Sequence, residues 1–108
     1  MDAYYELGEL KKELVEHYEK LGLLLDDESN LTFNTLIHEI NYVIERIHIC
    51  DDMEFFWELP DRIRGIKSNL IKEADKLNEH GDVIKVIADK LGIWADNIKP
   101  TARGVMIK

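Results

Sequence analysis

At 108 residues, with 45% hydrophobic and 33% charged side chains, two prolines and six glycines, the chain has the composition of one globular domain rather than of a disordered tail. Its net charge of −8 is unevenly laid out: residues 1–60 hold 15 Asp/Glu against 4 Lys/Arg, a net of −11, and residues 61–108 hold 7 against 10, a net of +3. The first part repels a polyanion, which disfavours wholesale nucleic-acid binding, and attracts a basic protein, most strongly at low salt.

The plain alternative is that the acids keep a small domain soluble, which needs no partner. A lone cysteine, Cys50, excludes an internal disulfide and a zinc site built from thiolates. The amphipathic, acidic N-terminal stretch does not read as a signal peptide. No apolar run approaches the length of a bilayer span, so the expectation is a cytoplasmic protein.

The periodicity is helical nearly throughout. The first helix is expected over 2–25, with Ala3, Leu7, Leu10, Leu14, Tyr18, Leu21 and Leu25 as its apolar stripe and Asp2, Glu6 and Glu9 at its start, where the macrodipole favours negative charge. "DDESN" breaks the pattern, and Ser29 or Asn30 is the expected cap of the next helix. That second helix, 31–49, is the clearest: Phe33, Leu36, Ile37, Ile40, Val43, Ile44 and Ile47 fall within an arc of about 120°.

Asp51 and Glu54 have capping-box spacing for a third helix, 53–78, with Leu59, Ile63, Ile66, Leu70, Ala74 and Leu77 inward. Pro60 is expected to kink it or to mark its true start, because proline fits only a first turn. Gly81 suits the position after a helix end. Asp82 can open a fourth helix over 83–92, stopped by Gly92, with a further short turn before Pro100. Residues 100–108 read as an extended or loose tail, and no segment alternates as a strand should. Four amphipathic helices with short connections predict an all-α, single-domain antiparallel bundle over 1–108.

Little in the chain points to chemistry. Glu45 and His48 have the Glu-x-x-His spacing of carboxylate-bridged metal bundles, but that chemistry needs two such pairs and two more glutamates, and this pair lies about 140° and 80° from the middle of the apolar arc. Glu13 and His17 form an i,i+4 pair of the kind any helix surface offers, with no nucleophile to serve. No Gly-rich phosphate loop and no Ser/His/Asp grouping can be placed. The reading is of a protein without catalytic residues, metal or cofactor.

Two features remain. In "VIADKLGIWADNI", Ala88, Gly92 and Ile98 have the spacing of a close helix approach, a turn and a docking residue, with Ile87, Leu91 and Ile93 at core positions. Over about a fifth of the chain this stretch resembles the helix-turn-helix family. The resemblance implies a DNA-binding regulator using residues 83–99, with Asn97 and Lys99 on its recognition segment. Base readers carry several Arg, Asn or Gln residues with basic neighbours, whereas this segment offers Asn97, Lys99 as its one cation, and Asp96.

The second feature is "CDDMEFFWELPDR". On a straight helix over 53–77, Phe55 and Phe56 fall within about 55° of the inward direction and Trp57 about 145° away. The two Phe therefore read as core, and Trp57 reads as covering a loop or meeting a partner. Taken with the acidic first part, the leading expectation is a small non-enzymatic protein that binds and neutralises another, basic protein. Immunity proteins, antitoxins and phage-encoded inhibitors share this economy, by analogy of class alone. The expected contacts are Asp51, Asp52, Glu54, Trp57 and Glu58, with Asp26, Asp27 and Glu28 as a second cluster. Tyr5, Leu23 and Ile49 are spare apolar positions through which two copies could pair.

Overall fold

The fold is that of a computed structural model, which describes residues 3–49, 53–101 and 104–107, with side chains over 5–47 and 54–99. Cys50, Asp51 and Asp52 lie outside the described residues, and so does the capping box Asp51 would form. The same holds for the side chains of Ala3, His48 and Ile49.

Four helices pack side by side: α1 (Ala3–Leu21), α2 (Asp27–Ile49), α3 (Met53–Lys76) and α4 (Asp82–Asn97). Cross-helix pairs fix their directions. Lys11 donates to Asn41 at 2.8 Å while Tyr18 stacks on Phe33, so α1 and α2 run antiparallel. Tyr42 meets Phe55 edge-on while Ser29 reaches Glu73, so α2 and α3 do too. Arg64–Asp96, Lys67–Asp89 and Asp75–Lys85 repeat the pattern for α3 and α4. Lys90 closes the ring onto Glu13 of α1 at 3.3 Å. The result is an antiparallel all-α bundle, 44 × 21 × 20 Å.

Its core is one continuous cluster. Leu7, Leu14, Phe33, Ile40, Phe56, Leu59, Ile63, Leu70, Ile84 and Leu91 are fully buried, and they recur at the three- and four-residue steps that put one face of each helix inward. Phe55 and Phe56 join this core, as the helical wheel of α3 requires.

The helix ends differ from the sequence reading in instructive ways. α1 stops at Leu21, four residues early, because Gly22 takes a positive φ of 46°, the left-handed conformation that ends a helix at small cost only for glycine. Gly22–Leu24 form one 3₁₀ turn. α2 begins at Asp27, not Leu31. Its cap is Asp26, whose carboxylate accepts the Ser29 N–H at 2.7 Å. Ser29, expected as that cap, instead turns inward and donates its hydroxyl to Glu73 Oε2 at 2.9 Å.

α3 starts at Met53 and runs through Pro60, so the proline marks neither the start of the helix nor its end. α3 is ended by Asn78, which carries the left-handed φ of 54°, rather than by Gly81. Gly81 is needed for a different reason. A methyl group there would lie 2.1 Å from the Ala74 carbonyl oxygen, so only glycine lets the chain turn this tightly beneath the end of α3.

α4 does not stop at Gly92 but continues to Asn97. Beyond it, where an extended or loose tail and no strand were expected, the chain forms two antiparallel strands, β1 (Ile98–Thr101) and β2 (Gly104–Ile107), in register from Ile98↔Ile107 to Thr101↔Gly104. β1 packs on α3, and β2 touches α1, α2 and α3. The hairpin therefore closes the end of the bundle where α4 finishes.

Candidate functional site

The antiparallel order decides where the sequence-predicted contacts fall. Asp26, Asp27 and Glu28 sit at the α1–α2 turn, while Glu54, Trp57 and Glu58 sit at the start of α3. Those are opposite ends of the bundle, separated by the length of α2, about 33 Å for its 23 residues. The two clusters cannot form one patch.

At the α3 end, Trp57 is 67% exposed. It lines a shallow cleft of about 400 Å³ with Pro60, Arg64, Asp96 and Lys99. Its surroundings are thus balanced in charge rather than acidic. Arg64 donates to Asp96 at 2.6 Å and reaches Asp61 at 3.4 Å, and the Asp96 bond holds the Arg64 guanidinium pKa above its ordinary value. Glu58 lies on the other flank of α3, toward α2, where it meets Arg62 at 3.7 Å. Glu54 is exposed.

The α1–α2 end is different. Ending α1 at Gly22 leaves the next leucines without a helix face to bury. Leu23 is fully exposed, Leu24 is more than half exposed, and Leu31 on the first turns of α2 is 68% exposed. Leu25 still packs against the core. A cleft of about 370 Å³ opens here between Tyr18, Glu19, Leu23 and Asn30. Asp26, Asp27 and Glu28 follow directly, all exposed. The Ser29 backbone N–H holds the Asp26 carboxyl below its ordinary pKa of 3.8, so it stays ionised while it caps α2.

This end is also well supported. Asn34 donates to the Tyr18 hydroxyl at 2.9 Å, and that hydroxyl donates to Asn30. Glu73, only 6% exposed, accepts from Ser29 and from Lys76 at 3.2 Å, which raises the Lys76 pKa. Leucines on a braced surface lose little further entropy on binding. Sequence reasoning singled out Leu23 only as a spare position and passed over Leu24 and Leu31; Gly22 was the signal for Leu23 and Leu24.

The helix-turn-helix geometry is not formed. Gly92 makes no turn: it lies mid-helix under Lys67, whose Nζ would be 2.9 Å from a methyl group there. Ile93, expected in the core, is 59% exposed because the unbroken helix carries it to the outer face. The segment expected to read DNA is divided between the last turn of α4 and β1. Elsewhere, Glu13 pairs with Lys90, and Glu45 accepts from Asn41 at 3.2 Å. Among the described residues, no three His, Cys, Asp or Glu side chains converge as metal ligands would. Among the described residues, too, no helix is long and apolar enough to cross a membrane. No protein-family profile, curated protein or solved structure matches the chain significantly.

Proposed function

We propose that this is a small non-enzymatic cytoplasmic protein that binds and neutralises a basic protein, and that the α1–α2 end is its principal contact. The observation that carries the reading is the exposure of Leu23, Leu24 and Leu31 beside Asp26, Asp27 and Glu28. Large apolar side chains clustered on a monomer surface mark interaction sites, whereas scattered ones need no explanation. The carboxylates select among partners: they suit a surface with an apolar pocket rimmed by Lys or Arg, and steer it at low salt. They oppose an anionic membrane, and they oppose a second copy, whose own acids would face them. Neutralisation is then occlusion, in which a rigid rod covers a basic groove.

The test is capture of a partner from the native cell, followed by affinity measurement with variants. Leu23→Ser/Leu24→Ser is expected to weaken binding of the captured protein by about 10-fold to 100-fold, as for hot-spot side chains, with an unchanged unfolding midpoint. If Trp57→Ala abolishes binding and the double serine variant does not, the contact lies at the other end. If the captured partner is acidic, the reading fails.

A further inference from the structure

α2 and α3 meet along a groove of about 480 Å³, away from the α1–α2 end and sharing Asp61 with the Trp57 cleft. Its floor is apolar, made by the buried Val43 and Ile66. Its opening comes from Gly65: nothing lies within 4 Å of where a side chain would begin, so the α3 wall is missing at that level. Glu39 stands on the α2 wall and Asp61 on the α3 wall, both exposed, and half-exposed Tyr42 borders the upper end.

The geometry points to a slot for a lysine or arginine side chain presented by a protein partner. Such a side chain has two unlike parts, an aliphatic stem that gains by covering apolar surface and a cationic head that must stay hydrated or paired. Here the stem would lie over Val43, Ile66 and the gap at Gly65, and the head would reach Glu39 and Asp61 from between them. A purely apolar side chain would leave those carboxylates to be desolvated without a partner.

Two basic groups also line the groove, Arg62 and His38. Arg62 is already engaged: its guanidinium lies 5.3 Å over the Phe55 ring and reaches Glu58. Glu39, by contrast, takes part in no ion pair or hydrogen bond among the described residues. Among the described residues, Asp61 is held only by the 3.4 Å contact to Arg64, whose shorter bond goes to Asp96 on α4. Both carboxylates are therefore available to an incoming cation.

The slot rests on the reading of a basic partner for its biology, but its test does not need that partner. The full chain, labelled for amide NMR, is titrated with N-acetyl-arginine amide and, separately, with the citrulline analogue, which has nearly the same shape and no charge. Saturable shifts are expected at Glu39, Tyr42 and Gly65 with the arginine probe alone. Gly65→Leu fills the groove and is expected to abolish them. Glu39→Gln/Asp61→Asn leaves the groove open and is expected to weaken binding about threefold or more, the effect of losing two exposed ion pairs.

Equal shifts with citrulline would overturn the proposal, as would arginine shifts confined to Asp26–Glu28, or a response that survives Gly65→Leu. Because that replacement enters open space on a helix surface, its unfolding midpoint is expected to hold or rise. Failure of partner capture with a positive titration would strike the proposed function and leave the slot standing; the reverse would strike the slot alone.

Discussion

Gly81→Ala tests the packing of the bundle most sharply. A methyl group at this position would sit 2.1 Å from the carbonyl oxygen of Ala74 and 2.8 Å from its carbonyl carbon and Cα. An ordinary carbon–oxygen contact is about 3.5 Å, so the end of α3 and the start of α4 would have to separate by about 1 Å or more. The obstacle is backbone, which cannot rotate away as a side chain can. Overpacking of this kind costs about 1–3 kcal/mol. The φ of −88° is open to alanine, so the usual Gly→Ala gain of about 0.4–1 kcal/mol from the unfolded chain partly offsets the clash. The net expectation is a loss of about 1–2 kcal/mol, or about 5–10 °C in midpoint for a domain near this size. Urea and thermal unfolding followed by circular dichroism measure both. Gly8→Ala is the internal control: nothing lies within 4 Å of the added group and the site is inside α1, so a gain of about 0.5–1 kcal/mol is expected. A Gly81→Ala variant as stable as the wild type, or a Gly8→Ala variant as damaged as Gly81→Ala, would refute the steric argument.

Three further outcomes follow from the same geometry. Ser29→Ala removes a hydroxyl donor from a carboxylate that is 6% exposed, so it should cost about 1.5–3 kcal/mol in urea unfolding, while Thr32→Ala, whose hydroxyl only meets the Glu28 carbonyl at the surface, should cost far less. Trp57→Ala should leave the unfolding free energy within about 0.5 kcal/mol of the wild type, because the ring is two-thirds exposed; a large loss would mean that it covers core. The Asp26 pKa is depressed in the folded chain, so its contribution to stability is fully present above the unfolded value of 3.8 and is lost as pH falls through the lower folded value. Asp26→Asn, which keeps an accepting oxygen but cannot titrate, should therefore show a shallower fall in midpoint below pH 3.8 than the wild type, and parallel curves would remove Asp26 from the acid response.

What was legible in the sequence follows from what periodicity encodes. A three- and four-residue recurrence of apolar side chains states which face of a helix is buried, so the core of α2, the inward Phe55 and Phe56 and the outward Trp57 could all be read before any packing was known. Helix ends depend on single residues, and several candidates compete at each. Gly22, Asp26 and Asn78 act as the stops and the cap, where the sequence led to a helix running to Leu25, a cap at Ser29 or Asn30 and a stop at Gly81, because only the tertiary partner decides. Ser29 is withdrawn from capping by Glu73, a residue 44 positions away. Gly92 fails to stop α4 because its face packs beneath Lys67 of α3, where burial outweighs the propensity cost of glycine in a helix.

The candidate site was less legible for a related reason: a surface belongs to several helices at once. Sequence order makes the acids at 26–28 and at 51–58 look like two parts of one face. α2 runs between them, and its length sets the end described at Glu54, Trp57 and Glu58 about 33 Å from Asp26–Glu28. The charge of the first 60 residues is thus spread along the rod, and beyond about 8–10 Å in physiological salt each end attracts on its own account. On the proposed reading, a basic partner of ordinary interface size would be guided by the total charge but bound by one end, and the α1–α2 end has the exposed Leu23, Leu24 and Leu31 to contribute, against Trp57 and Tyr5 among the described residues at the other. Net charge, the feature most visible in the sequence, therefore bears on how fast a partner arrives. On that reading, where it stays follows from Gly22, whose left-handed φ ends α1 and leaves Leu23 and Leu24 exposed.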